Sequence, residues 1–235
     1  MLEELKEQVC NANMDLARYG LATLTWGNAS GIVRSEGLVV IKPSGVDYAS
    51  LTPADMVIVD LENNIVEGSM RPSSDTKTHT RLYSAFPGIG GIAHTHSVYA
   101  TMFAQACRPI SCLGTTHADH FSGPIPVTRF LTGNEVSEDY EGNTGAVIVE
   151  AFAGVDPLAT PGVLVAGHAP FAFGRNVSES VENALVLERV AQMALGSLQL
   201  NPSISRLPSH IESKHYQRKH GPQAYYGQKN KKEKR

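Results

Sequence analysis

The tripeptide His94-Thr95-His96 ends a run of small and apolar residues, 88–93, that is typical of a buried strand. Side chains on a strand alternate between its faces, so both imidazoles project from one face with α-carbons about 6.6 Å apart. Two rings at this spacing can bind one metal ion. Taken alone, the pair is equally compatible with a hydrogen-bonded core histidine beside a surface histidine.

Further side chains that can bind metal ions occur in three other parts of the chain, and they favour the metal interpretation. They are Asp75 and His79 upstream, His117, Asp119 and His120 downstream, and His168 at the end of the run 162–167. Imidazole and carboxylate ligands suit zinc or manganese. The sequence therefore predicts a divalent-metal site built on His94 and His96.

Three loops rich in small residues, hydroxyl groups and free backbone amides could bind a phosphate group. Their sequences are Gly27-Asn28-Ala29-Ser30-Gly31, Lys42-Pro43-Ser44-Gly45 and Arg71-Pro72-Ser73-Ser74. Each loop by itself is more simply explained as an ordinary turn, which uses the same residue types. Three such loops in one small chain, one of them opening a predicted helix whose N-terminus attracts anions, indicate phosphate binding. The sequence contains neither a Walker A nor a Gly-x-Gly-x-x-Gly motif.

Length and composition set the scale of the protein. The chain has 235 residues, of which 42% are hydrophobic and 18% charged, and this fits one globular domain or at most two small ones. A formal net charge of -3 gives no general reason to expect a nucleic-acid partner. The basic segment Lys229 to Arg235 is predicted to be a disordered, solvated tail.

Cysteine usage and hydropathy suggest the compartment. The three cysteines, Cys10, Cys107 and Cys112, cannot pair completely and show no Cys-x-x-Cys spacing. The first residues are acidic and amphipathic, and no apolar stretch is long enough for a membrane span. We therefore expect a cytoplasmic protein without a membrane partner.

Hydrophobic periodicity predicts the elements that must position these groups. Apolar residues at helical spacing predict an N-terminal helix from Leu2 to Tyr19, and short β-rich runs between 32 and 66 predict hairpins. Ser74 is expected to cap a helix from Asp75 to about Ala85. The remaining predictions are the His94 strand, a helix 98–106, a run of short strands, the His168 strand, and a helix 178–198 followed by the tail.

The motifs together resemble those of the L-ribulose-5-phosphate 4-epimerases, a family of the class II aldolase and epimerase superfamily. The matching segments are the three loops, 73–79, His94-Thr95-His96, Thr115 to His120, and the closing segments 214–221 and 225–228. The resemblance implies an α/β fold, a single domain over residues 1–228 with a central, mainly antiparallel sheet flanked by helices. It also implies a cyclic tetramer of identical chains with shared active sites.

The resemblance assigns roles residue by residue. His94, His96, His168 and Asp75 match the ligands of one zinc ion, although Asp75 could instead be a helix-capping carboxylate. The substrate and phosphate loops match at Gly27, Asn28, Lys42, Ser44, Gly45, Ser73 and Ser74, where a solvated Lys42 is the alternative. His79, His117, His120 and His215 are expected to be supporting or structural, and His215 with Arg218 is a candidate phosphate contact across a subunit interface.

Asp119 and Tyr226 match the family's two acid and base residues, the tyrosine reaching the site from a neighbouring subunit. Read without the resemblance, Asp119 could orient an imidazole and Tyr226 could anchor the C-terminus by packing. Inversion at C4 of a pentulose phosphate needs two such residues, because no carbonyl adjacent to C4 stabilises a carbanion. Cleaving the C3–C4 bond and re-forming it on the other face avoids that carbanion and moves one proton on each side.

The resemblance thus implies a zinc-dependent enzyme that interconverts L-ribulose 5-phosphate and D-xylulose 5-phosphate by retro-aldol and aldol steps, on a pathway of arabinose or of ascorbate and gulonate. The nearest alternative is a class II aldolase acting on a ketose phosphate such as L-fuculose 1-phosphate. Two features separate them: Asp75, where those aldolases carry glutamate, and the closing segment Tyr225-Tyr226-Gly227-Gln228. A zinc-stabilised binding protein without catalysis is the third interpretation.

Overall fold

A computed structural model of the chain describes residues 2–226. The predicted basic tail, together with Gly227 and Gln228 of the closing motif, lies outside the described residues. The domain boundary at residue 228 therefore stays a prediction.

An antiparallel sheet of seven strands forms the centre of the described part of the chain. The strands are β1 (Asn28–Val33), β2 (Leu38–Ile41), β3 (Val57–Asp60), β4 (Ile65–Glu67), β5 (Gly91–His94), β6 (Gly162–Leu164) and β7 (Pro170–Gly174), in the order β4-β3-β2-β1-β5-β7-β6. The predicted hairpins between residues 32 and 66 are confirmed as the meander β1 to β4.

Helices cover both faces of the sheet. They are α1 (Leu2–Arg18), α2 (Thr76–Ala85), α3 (Val98–Gln105), α4 (Thr115–Ala118), α5 (Gly133–Ala151), α6 (Val177–Leu200) and α7 (Ser209–His220). Strand alternation divides the core: Val40 and Ala93 pack with α1 and α6, whereas Val39 and Phe171 pack with α2 and α5. The three-layer arrangement confirms the predicted α/β fold.

The segment between Ala106 and His168 differs from the prediction of short strands. The described structure has α4, the long helix α5 and only β6 there. A capping box starts α5, because Thr132 accepts from the backbone amide of Glu135 and Glu135 accepts from that of Thr132. The residues beyond Pro208 likewise form α7, where the sequence predicted only a tail.

Among residues 2–226, no helix combines the length and the apolar character that crossing a bilayer would require.

Candidate metal centre and substrate pocket

Three histidines converge at the end of the central strands. His94 is the last residue of β5, and His96 lies two residues beyond it. His168 lies in the turn between β6 and β7, after Gly167, whose φ of 70° favours glycine. The three ring centroids are 5.0 Å apart in every pair, and a ligand atom from each ring lies within 4.8 Å of the others. The strands end before His96 and before His168, so turns rather than strand alternation aim these two rings.

The hydrogen bonds and surroundings of the rings suit metal binding. Nδ1 of His94 lies 2.9 Å from the carbonyl of Pro170, so it carries the proton and leaves Nε2 as a free ligand atom. The His94 ring also stacks on the ring of Phe171, its cross-strand partner on β7, with the two ring centroids 4.1 Å apart. Burial, with the neighbouring histidines, lowers the pKa of His168 to about 4. Neutral imidazoles are the form that binds metal, and these residues therefore fit a divalent ion.

Asp75 faces the same cavity but does not belong to the group of three converging ligands. It occupies the N-cap position of α2, so the prediction that Ser74 is the cap was wrong by one residue. Its side chain makes no capping bond and instead accepts from the amide of Asn28 at 2.7 Å. Burial opposes ionisation, yet His94, His79 and the Asn28 bond together hold the pKa of Asp75 below its usual range. Its role as a fourth ligand stays a prediction.

A cavity of about 580 Å³ lies in front of the histidines. The predicted metal ligands and the predicted substrate residues all line it: Gly27, Asn28, Lys42, Ser44, Gly45, Ser73, Ser74, Asp75, His94, His96 and His168. Gly27 is required there, because a Cβ at this position would lie 2.6 Å from the carbonyl oxygen of His94. Gly27, Asn28, the loops that contain Ser44 and Ser73, and the histidines are far apart in sequence and form one pocket. The prediction of a loop over 27–31 was wrong beyond Gly27, because Asn28 begins β1 and pairs with His94 of β5.

Lys42 is a buried cation in the wall of this cavity. The residue is only 1% exposed, which excludes the solvated lysine considered from the sequence. Its ammonium group lies 4.8 Å from the centre of the Tyr48 ring and donates to the carbonyl of Pro43 at 3.3 Å. Burial lowers its pKa. Among the described residues Asp47 acts on Lys42 only through its charge and forms no salt bridge with it, so an anionic ligand would supply a direct countercharge.

Tyr140 and Glu141 also line the cavity and were missed from the sequence. They follow a break in α5 at Asp139, where φ is -162° and ψ is 88°. The break turns this part of the helix toward His168, whose ring centroid lies 6.4 Å from that of Tyr140. The capping box at the start of α5 could have indicated this helix from the sequence. The break within the helix has no such sequence signal.

Asp119 and Tyr226 lie outside this cavity in a second cluster. Asp119, at the end of α4, accepts from Nε of Arg218 on α7 at 2.8 Å and from Nδ1 of His215 at 3.1 Å. Tyr226 places its ring 4.9 Å from the same guanidinium and 4.6 Å from the ammonium of Lys219. We call Asp119, His215, Arg218 and Tyr226 the α4–α7 cluster. The structure brings the two predicted acid and base residues together, but it does not bring them to the histidines of the same chain.

The other predicted histidines make local contacts. His79 lies 2.7 Å from the hydroxyl of Ser30, His117 lies 2.7 Å from the carbonyl of Gly123, and His120 lies 3.1 Å from Lys219. None of them is among the residues that line the cavity. Their supporting roles stay a prediction.

The chain belongs to the class II aldolase family, because the model of the class II aldolase and adducin N-terminal domain matches residues 7–195. It is 54% identical over 228 residues to L-ribulose-5-phosphate 4-epimerase UlaF of Salmonella paratyphi C, covering 97% of this chain and 100% of that protein. The resemblance seen in the motifs is thereby confirmed.

Solved structures agree on the fold. An L-fuculose 1-phosphate aldolase superposes with a TM-score of 0.80 at 23% identity, covering 92% of this chain and 95% of that chain. An L-fuculose-1-phosphate aldolase from Thermus thermophilus gives a TM-score of 0.63 at 26% identity, covering 88% of this chain and 98% of that chain. The predicted class II aldolase fold is confirmed.

Proposed function

We propose that the protein is a metal-dependent L-ribulose-5-phosphate 4-epimerase that interconverts L-ribulose 5-phosphate and D-xylulose 5-phosphate. The observation that carries this proposal is the convergence of His94, His96 and His168 in a cavity that is also lined by Lys42 and by small polar residues of the segments at Asn28, Ser44 and Ser73. The high identity to a protein named as this epimerase supports the choice of reaction. A cytoplasmic location belongs to the same proposal.

The phosphate group of the substrate is assigned to Lys42 and the loops around it. Ser44 and Gly45 follow Lys42 after Pro43, and Ser73 and Ser74 line the same cavity. The backbone amide of Ser44 is bonded to the carbonyl of Arg71, and that of Ser73 to the carbonyl of Lys42, so the two loops form one unit. A phosphate there pairs with the buried ammonium group and accepts from the serine hydroxyls. This contact holds the sugar end toward the histidines.

The histidine group is assigned to one divalent ion, with zinc as the expected metal and Asp75 as a proposed fourth ligand. Such an ion supplies Lewis-acid stabilisation of the negative charge that C3–C4 cleavage leaves on the three-carbon fragment. Asn28 keeps the Asp75 carboxylate directed to the cavity through its bond to Oδ2. Manganese would satisfy the same set of ligands.

The proton transfers are assigned to Asp119 and Tyr226. A base takes the proton of the C4 hydroxyl, the C3–C4 electron pair stays with the dihydroxyacetone fragment, and C4 with C5 separates as glycolaldehyde phosphate. After the aldehyde turns over, C3 attacks its opposite face and the new C4 oxygen takes a proton from the second residue. One residue on each side of C4 is therefore required.

The placement of the α4–α7 cluster supports an assembly in which active sites are shared. Asp119 and Tyr226 do not line the cavity of their own chain, so we assign both to the cavity of a neighbouring chain. This proposal replaces the sequence prediction, in which only the tyrosine came from the neighbour. In a closed cyclic tetramer each head-to-tail contact places the α4–α7 cluster of one chain against the cavity of the next. Every cavity is therefore completed by one cluster.

A coupled assay tests the proposal. Purified protein is supplied with L-ribulose 5-phosphate, and formation of D-xylulose 5-phosphate is followed with and without a chelator. Turnover that the chelator abolishes and zinc restores is expected. Net release of glycolaldehyde phosphate, or cleavage of L-fuculose 1-phosphate alone, would instead identify an aldolase. Metal-dependent melting without any turnover would identify a binding protein.

A further inference from the structure

Glu188 is a buried carboxylate that lies outside the cavity described above. It lies near the middle of α6, and the residue is only 7% exposed. Its Oε1 accepts from the backbone amide of Tyr99 and its Oε2 from that of Ala100, each at 2.9 Å. Burying a carboxylate to this extent is costly unless it is hydrogen-bonded. The two bonds offset that cost, and what they do for the fold is the question.

The two amides belong to the first turn of α3, which begins directly after the His94-Thr95-His96 segment. Tyr99 and Ala100 are the second and third residues of the helix, and their amides are those that an N-cap side chain normally serves. Ser97 occupies the N-cap position but makes no capping bond. Glu188 therefore replaces the missing cap of α3.

The hydroxyl of Ser97 is used elsewhere. It accepts from the hydroxyl of Thr95 at 3.2 Å, and Thr95 is the buried residue between the two metal-binding histidines. Because Glu188 caps the helix, Ser97 remains available to hold Thr95. The capping bond and the geometry of the His94–His96 segment are connected in this way.

The other end of α3 contacts the third histidine. The carbonyl of Ala104, in the last turn of the helix, accepts from the backbone amide of Gly167 at 2.9 Å, and Gly167 immediately precedes His168. Ala100 and Ala104 are fully buried in the core cluster that contains Leu187 and Ala191 of α6. Helix α3 thus links the backbone segment that carries His96 to the one that carries His168.

We propose that Glu188 is a positioning residue for the metal centre, which fixes α3 against α6 and so sets the spacing of His96 and His168. This inference rests on the proposed metal site. Ligands must be held within about 0.5 Å of their productive geometry, and loss of an outer partner typically weakens metal binding about 10-fold to 100-fold. Glu188 does not touch the metal or the substrate.

Metal titration of purified, metal-free protein tests the proposal. Zinc binding is measured against a competing chromophoric chelator for the wild type, Glu188→Ala and Glu188→Gln. The dissociation constant is expected to rise about 10-fold to 100-fold in Glu188→Ala, and less in Glu188→Gln, which keeps one acceptor oxygen. At saturating zinc, kcat should return while KM for the pentulose phosphate stays at the wild-type value.

Amide hydrogen exchange supplies a readout that needs no metal. The amides of Tyr99 and Ala100 should exchange faster in both Glu188 variants than in the wild type. The matched control is Glu179→Gln, also on α6, which replaces a carboxylate that accepts from the backbone amide of Arg175 and should keep the wild-type zinc affinity.

Wild-type zinc affinity in Glu188→Ala, alongside faster exchange in α3, would overturn the inference. If Glu188→Ala does not fold, Glu188→Gln decides in the same way, since its volume is conserved. A wild-type protein that binds no zinc would overturn the proposed function itself, and this inference with it.

Discussion

Asp119 is paired with Arg218 at two points, Nε donating to Oδ1 at 2.8 Å and Nη2 donating to Oδ2. Burial of Asp119 works against ionisation, but the bonds from Arg218 and His215 outweigh it and hold the pKa of the carboxyl below its usual range. Arg218 therefore keeps the proposed base ionised, and at the same time it occupies both carboxylate oxygens.

Replacing Arg218 by Gln should move the acid limb of the pH profile of kcat/KM to higher pH. Without the guanidinium, burial dominates and the pKa of Asp119 rises, so less of it is ionised at a given acidic pH. Initial rates between pH 4.5 and 8 measure the shift. Arg206→Gln is the control, because Arg206 makes the same type of pair with Glu212 on α7. Superimposable profiles for Arg218→Gln and wild type would contradict the assignment.

Replacing His94 by Asn should strip the metal and reduce turnover by at least about a thousandfold, which corresponds to losing several kcal/mol of transition-state stabilisation. The ratio of metal to chain is measured by elemental analysis after dialysis. His210→Asn, at an exposed position on α7, should keep both metal and activity. Full metal occupancy in His94→Asn would rule out the histidine group as the metal centre.

Tyr226→Phe should slow epimerisation about 10²-fold to 10⁴-fold, because the phenol proton is lost, while metal content stays unchanged. Tyr225→Phe is a matched control: the neighbouring tyrosine packs over Lys214 rather than over Arg218. The pair of variants is compared in the coupled assay at saturating zinc. Equal activities in the two variants would remove Tyr226 from the mechanism.

Chains that each lack one half of the site should complement each other. His96→Asn keeps the α4–α7 cluster and Asp119→Asn keeps the histidines, so equal mixtures that are unfolded and reassembled should recover about a quarter of the wild-type activity in a cyclic assembly. Mixtures of Asp119→Asn with Tyr226→Phe should recover none, because both changes fall in one cluster. The reverse pattern, in verified mixed oligomers, would show that Asp119 and Tyr226 of one chain serve different active sites.

His79 should make the metal-free protein less stable in acid. Burial lowers its pKa to about 3, whereas unfolded histidine titrates near 6.5, so the unfolded state binds more protons in between. Its contribution to stability is fully present above about pH 6.5 and is lost as the pH falls toward 3. Denaturant unfolding is measured at several pH values. As the pH falls, the free energy of unfolding should decrease less steeply for His79→Gln than for the wild type, by up to about 1.4 kcal/mol per pH unit. Exposed His210→Gln should keep the wild-type slope.

The sheet and the cavity could be predicted because their signals are local. Strands β2, β3 and β4 and the end of β1 are rich in Val and Ile and are separated by turn residues, and small polar residues mark the segments at Asn28, Ser44 and Ser73. Short-range patterns of this kind are visible in one sequence. His168 was found by its residue type, although the turn that aims it follows from the hairpin of β6 and β7.

The missed elements have weak amphipathic signals. Helix α5 carries two internal glycines, Gly142 and Gly145, and breaks at Asp139, while α7 buries only Glu212. Hydrophobic periodicity cannot identify such helices, because their position follows from packing and ion pairs with distant residues. The separation of Asp119 from the histidines had no local signal either, because Asp119 ends α4, which packs against the distant helix α7.

The position of His168 in the turn before β7 also concerns how the chain withstands proteolysis. His94 and His168 border a long connection that contains α3, α4, α5 and β6. An ion held by both residues would close this connection as a reversible cross-link, which lowers the entropy of its opened states. Local opening of that segment, and cleavage within it, would then depend on how much free metal surrounds the protein.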